Sequence, residues 1–265
     1  MKFVFFILIT LVSLSSLASE EDKSQFPSYD MVNGIILDQN DEVFSAHQPN
    51  YIISGADDLK LQFSFRYRLL KKSHLFFGYS QQMYWDVYAD SKPFYDINFK
   101  PEVFYRFLIK DELLKSVDTG VLHHSNGKAG IESRSLNQIY TNFNFIGHNN
   151  SYVNFASSIQ AFYTFDKEAT NENIVNYIGY YKIHFGLMDI FGHESRNVDL
   201  GVSFFAGNHL INFDKGAMEV NLKFSFLKKY LNPDVLFQYY HGYAQNLMDY
   251  EKSVDHFRLG FMFYL

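Results

Sequence analysis

The chain has 265 residues, a formal net charge of −6 and no cysteine. That length suits one domain, the missing cysteines exclude a disulfide framework and thiol chemistry, and the mild acidity gives no electrostatic footprint for nucleic acid. Aromatic residues make up 19% of the chain, as 20 Tyr and 29 Phe against a single Trp, a load that soluble domains rarely carry.

In chain order, the first element is a secretory signal. Lys2 supplies the positive start, residues 3–12 are apolar apart from Thr10, and Ser16-Leu17-Ala18 is a small-x-small site. This predicts cleavage after Ala18, with residues 1–18 removed. No later segment offers the run of about 18–20 apolar residues that a spanning helix needs, so the exported chain can enter a membrane only as a closed barrel. Residues 19–49 are polar, with Glu20, Glu21, Asp22 and Lys23 at the new terminus, and read as a periplasmic arm.

From residue 50 to 265 the chain is a series of strand-like runs. They fall at 51–55, 59–69, 74–87, 98–108, 115–124, 135–146, 152–165, 175–187, 198–207, 217–226, 235–245 and 254–265. That is about twelve, the even number expected of bacterial barrels. Period-two alternation supports them. In the last run Phe257, Leu259, Phe261, Phe263 and Leu265 share one face, and His256, Arg258, Gly260, Met262 and Tyr264 the other. In the run at 74–87, Leu75, Phe77, Tyr79, Met83 and Trp85 oppose Ser80, Gln82 and Tyr84. In the run at 135–146, Ile139, Thr141, Phe143 and Phe145 oppose Gln138, Tyr140, Asn142 and Asn144. A soluble β-sandwich also alternates. Strands of ten residues or so, as a tilted bilayer crossing requires, favour an all-β transmembrane antiparallel barrel with a lipid face and a hydrogen-bonded interior.

One stretch breaks the apolar pattern. His123 and Ser125 lie two apart, hence on one face, and that face runs back through Val121, Thr119 and Val117, so it is the lipid face. Asn137 has the parity of Ile139 and Phe143 and faces lipid too. Polar groups there are costly unless they bond to one another. A relay from Ser125 to His123 to Asn137 satisfies them, and it is the nucleophile, base and orienting-group order of a serine hydrolase. A His-x-Ser pair is by itself a weak signal, and a polar rim around a turn at Gly127 has the same composition.

Residues 123–137, HHSNGKAGIESRSLN, resemble the active-site signature of the outer-membrane phospholipase A family, His-x-Ser-Asn-Gly followed by Ser-x-Asn. Tyr79–Trp85, Pro93-Phe94, Asn98–Glu102, Tyr177–Tyr181 and Gly242–Asp249 are similar in kind, so the resemblance covers most of residues 50–265. It implies a calcium-dependent phospholipase A1/A2, with lysophospholipase activity, acting on membrane phospholipids in the bacterial outer membrane as a multi-pass homodimer. Ser125 would be nucleophile, His123 base and then acid, Asn137 the orienting group, and the Gly127 N–H an oxyanion donor. Ca²⁺ would be held by the Lys128 carbonyl and Ser133, with Ser91 from a partner subunit. Lys128 stands where the family often has Arg, Phe99 replaces a Tyr, and a shorter loop before Ser91 makes that position the least anchored of the three.

Two further features fall outside that set. Gln81 is an amide on an apolar face, and pairing with its own copy across a twofold would relieve it; the resemblance places the matching Gln at the dimer contact. The acidic loop 166–173, with Asp166, Glu168 and Glu172, is a candidate second calcium site or a solvated turn. The competing function is a non-enzymatic outer-membrane barrel, a small pore or structural protein.

Overall fold

The computed structural model describes residues 43–148, 154–190, 197–208, 214–225 and 233–263. The expected signal segment, and the arm up to residue 42, lie outside them. Among the described residues thirteen strands occur in chain order: β1 (Phe44–Ser45), β2 (Asn50–Gly55), β3 (Leu59–Arg68), β4 (Leu75–Trp85), β5 (Phe94–Leu108), β6 (Leu114–Ser125), β7 (Ser135–His148), β8 (Asn154–Phe165), β9 (Tyr181–Met188), β10 (Asn197–Phe205), β11 (Ala217–Ser225), β12 (Asp234–Gly242) and β13 (Val254–Phe263). Each is antiparallel to its neighbours, and the β13–β2 and β3–β4 ladders close the sheet on itself. β1 and β2 both pair with β3 and share one place in the ring, so the barrel has twelve positions, as the sequence predicts. Among the described residues no helix is long and apolar enough to cross a membrane.

The two faces follow the predicted parity. On β13, Phe257 and Leu259 are 59% and 58% exposed while Arg258 between them is 1% exposed. Ser80 and Tyr84 on β4, and Tyr140 and Asn144 on β7, turn inward and are buried. An apolar exterior around a polar interior suits a hydrocarbon solvent. The interior is cross-linked by charge. Arg106 grips Asp118 at 2.7 and 2.8 Å, Lys223 meets Asp199 at 2.7 Å, and Lys60 donates to Gln238 at 2.9 Å beside Glu219. Buried ions persist where partners and hydrogen bonds satisfy them.

Among the described residues two insertions occupy the lumen. Between β1 and β2 the pairing on β3 shifts by two residues, and this bulge drives His47 inward, where its Nε2 lies 2.7 Å from Glu102. The other is the loop at 243–253, which folds over the mouth at the end where β6 finishes. The Leu247 N–H donates to Asn98 Oδ1 and that of Met248 to Asp96 Oδ2, both at 3.0 Å, and Tyr84 donates to the Gln245 carbonyl. Leu247 and Tyr250 pack there with Leu136, Ile174 and Tyr177. Burial pushes the Tyr250 phenol above its ordinary range. Below this plug a polar cavity of about 120 Å³ remains, lined by His47, Glu102, Arg106, Lys182 and His184.

One expected strand is corrected. Residues 175–187 divide into a single helical turn, α1 (Val175–Ile178), and strand β9. The break falls at Gly179, whose φ is +67° and whose missing Cβ would stand 2.1 Å from the Gly207 carbonyl oxygen. Only glycine fits there. Tyr177, which reads as a strand residue, instead packs against Tyr243 and Tyr250 in the mouth cluster. β5 begins at Phe94, four residues before its expected start.

Candidate active site on the outer wall

β6 and β7 pair in antiparallel register with His123 opposite Asn137 and Ser125 opposite Ser135. β6 alternates as predicted: Ser116, Asp118 and Gly120 are buried on the lumen side, while Val121 and His123 are exposed. His123, Ser125 and Asn137 therefore share the outer wall. His123 Nδ1 lies 2.8 Å from Asn137 Oδ1. An amide oxygen can only accept, so the ring carries a proton at Nδ1, and in the neutral ring Nε2 is then the nitrogen with the lone pair. The Ser125 hydroxyl is on the same strand face but makes no hydrogen bond to the ring among the described residues. The expected relay is thus joined at its His–Asn half. His124, between the two, points inward and meets Asn98 at 3.4 Å.

The loop from 126 to 134 is shaped by Asn126, a buried side chain that spacing alone gave no role. Its Oδ1 accepts from the Lys128 N–H at 3.3 Å and the Arg134 N–H at 3.0 Å, and its Nδ2 donates to the Glu132 carbonyl at 2.9 Å. The Asn126 N–H also donates to the Arg134 carbonyl at 3.0 Å. One side chain therefore ties both ends of the loop. Gly127 follows with φ +65°, and a Cβ there would stand 2.8 Å from the Phe99 ring. Phe99 lies directly across from Ser125.

Lys128 turns its ammonium to the Tyr95 carbonyl at 2.9 Å and to Glu132 at 3.4 Å. Its own carbonyl and the Ser133 hydroxyl take no hydrogen bond among the described residues, whereas the Ser133 carbonyl accepts from Thr170 and from Arg134. These two free oxygens are hard donors of the kind Ca²⁺ prefers. Among the described residues no three His, Cys, Asp or Glu side chains gather as a metal centre. In loop 166–173, Asp166 is engaged by Asn137 Nδ2 at 2.9 Å, and Glu168 is anchored through its N–H to the Ser135 carbonyl. Ser91 is exposed in the β4–β5 loop at the same end of the barrel. Gln81 faces outward between Phe63 and Phe99 on the flanking strands, and the Tyr79 hydroxyl donates to its Oε1 at 2.6 Å, so the amide is not wholly unpartnered.

Fold and site together define a membrane-spanning β-barrel whose polar side chains gather on the lipid-facing wall near one rim. Comparison with known proteins gives the class a family. The phospholipase A1 family model matches residues 18–263, and the chain belongs to that family. The phospholipase A1 of Proteus vulgaris is 26% identical over 221 residues, 79% of this chain and 70% of its own length. The putative phospholipase A1 of Neisseria meningitidis serogroup B is 28% identical over 221 residues, 78% of this chain and 54% of its own. Among solved structures, the outer membrane phospholipase (OMPLA) of Salmonella typhi, a dimer with bound calcium, superposes with a TM-score of 0.67 at 21% identity over 85% of this chain and 94% of its own. The Escherichia coli outer membrane phospholipase A gives 0.67 at 21% identity over 83% and 98%. The protein is a multi-pass outer-membrane barrel of the phospholipase class.

Proposed function

We propose that the chain is a calcium-dependent phospholipase A1/A2, with lysophospholipase activity, that cleaves acyl esters by a Ser125–His123–Asn137 mechanism as a homodimer. The observation that carries this reading is the 2.8 Å contact between His123 and Asn137 on the lipid face, with Ser125 two residues along the same strand. A structural barrel has no use for an imidazole–amide pair facing hydrocarbon, and a pore is disfavoured by the loop folded into the mouth.

His123 Nε2 takes the Ser125 proton as the oxygen attacks the acyl carbonyl. The same proton is then given to the glycerol oxygen as the ester bond breaks, leaving an acyl-serine. His123 next deprotonates a water, which attacks the acyl-serine; the bond to Ser125 Oγ breaks as the imidazolium returns that proton to Oγ, and the fatty acid is released. Asn137 Oδ1 holds the ring by its Nδ1–H and faces the imidazolium with a dipole instead of a full charge. The Gly127 N–H, in a loop set by Asn126, donates to the oxyanion.

The free oxygens at Lys128 and Ser133 fit a calcium ion, with Ser91 of a partner subunit as the third protein ligand, and the bound calcium of the Salmonella typhi relative supports this. When bound, the cation would stabilise negative charge developing on the carbonyl oxygen. The set carries no carboxylate, so one chain alone would bind calcium weakly, and pairing through the wall around Gln81 would complete it.

The test is fatty-acid release from phospholipid micelles by the refolded protein. Chelating calcium is expected to lower release by at least about a hundredfold, with recovery on adding it back. Unchanged release under chelation removes the metal from the mechanism. Gly127→Ala is expected to lower kcat by about ten- to a hundredfold, since the left-handed backbone disfavours alanine and the new Cβ meets Phe99, shifting the donor. Normal kcat in that variant would move the oxyanion donor elsewhere.

A further inference from the structure

Asn137 has two ends, and the second is not idle. While Oδ1 meets the His123 ring, Nδ2 lies 2.9 Å from Asp166 Oδ2. The geometry points to Asp166 as a positioning residue that acts through Asn137, extending the relay to Ser125–His123–Asn137–Asp166. The inference rests on the reading of Ser125 as nucleophile and adds a member that acts without touching substrate.

The argument is one of proton inventory. An amide can rotate by half a turn and exchange its oxygen for its nitrogen at almost no steric cost. A carboxylate has only lone pairs to offer, so it accepts the NH₂ end and rejects the oxygen. Asp166 therefore fixes the amide with Oδ1 on the ring, which fixes the ring proton at Nδ1 and keeps Nε2 as the base. With the amide turned over, NH₂ would face Nδ1, the proton would move to Nε2, and the imidazole could no longer accept from Ser125.

The chain holds Asp166 where this requires. Phe165, the last residue of β8, pairs directly with Asn137, so the next residue leaves the strand beside that side chain. Asp166 turns there with φ +48°, a left-handed conformation that Asp tolerates better than most side chains. The following segment is bound to the nucleophile's neighbours: the Glu168 N–H donates to the Ser135 carbonyl at 3.1 Å, and Asn171 exchanges two hydrogen bonds with the Ser135 backbone, at 3.3 and 3.0 Å. Asp166 is exposed, so water screens its charge and its hold on orientation outweighs its field.

The experiment is steady-state fatty-acid release by refolded wild type, Ser125→Ala, Asp166→Ala, Asp166→Asn, Asn137→Ala and the Asn137→Ala/Asp166→Ala pair, each first shown to migrate as a heat-modifiable barrel. Asp166→Ala is expected to lose about tenfold in kcat with KM within about twofold, the signature of a lost orienting hydrogen bond. Asp166→Asn, which can still present an oxygen to the amide, is expected to recover to within about threefold of wild type. In the Asn137→Ala background, removing Asp166 is expected to change nothing further. If Asp166→Ala fails to refold, Asp166→Ser, too short to reach the amide, takes its place with the same expectations. Wild-type kcat in the Asp166 variant overturns the proposal, as does an effect confined to KM or a loss of the same size with Asn137 already gone. If instead wild type releases no fatty acid, or Ser125→Ala releases it normally, the nucleophile assignment itself has failed.

Discussion

Ser125→Ala is expected to reduce fatty-acid release by at least about a thousandfold while leaving the barrel folded. The substitution deletes one oxygen. In the resting protein that oxygen makes no hydrogen bond among the described residues, and the strand pairs at this position, with Phe99 and Ser135, are backbone ladders that alanine preserves. The stability change should therefore stay within about 0.5 kcal/mol. Chemistry has no such tolerance. With no hydroxyl there is no acyl-serine, and what survives is whatever the remaining donors lend to direct attack by water. Refolded variant and wild type, matched for heat-modifiable migration, give the comparison. Release within tenfold of wild type would remove Ser125 from the mechanism.

Asp58→Ala is expected to cost about 3–5 kcal/mol of stability, because it strands a buried cation. Arg258 is 1% exposed on the lumen face of β13 and meets Asp58 through Nε at 2.6 Å and Nη2 at 2.8 Å. The same carboxylate accepts from the Tyr95 hydroxyl at 3.0 Å, and Arg258 reaches on to Gln245 Oε1 at 3.2 Å. One aspartate thus joins the β2–β3 turn, β5, β13 and the loop that fills the mouth. Without it the guanidinium keeps Gln245 and His256, neither of which offers a formal negative charge to match it. Urea unfolding of the refolded barrel measures the loss. A change below about 1 kcal/mol would mean that water enters the mouth readily enough to solvate Arg258, and that the pair contributes little.

Much of this molecule could be read from alternation alone. The inward turn of Arg258, Tyr84 and Tyr140, and the outward turn of His123, Ser125 and Asn137, follow from counting by twos along one strand, and the family motif over residues 123–137 then attached chemistry to those three positions. Asn126 lay inside that motif without a stated role. Its signal was present as a short amide next to a glycine turn, but the three loop groups it binds are chosen by how the loop closes. Asp166 and Asn171 read as members of an acidic, polar loop. What gives them work is the pairing of Phe165 with Asn137, a contact set by the register of β7 against β8.

The same division holds for the fold. Strand identity and face are local, because successive side chains on an extended backbone must point opposite ways whatever lies beside them. That is why the twelve-position barrel and the outward site were legible before any neighbour was known. The helical turn at Val175–Ile178, the inward bulge at His47 and the loop clamped on Asp96 and Asn98 were decided by the closed ring. They depend on which backbone groups and cavities the other strands leave within reach, and no stretch of sequence carries that information alone.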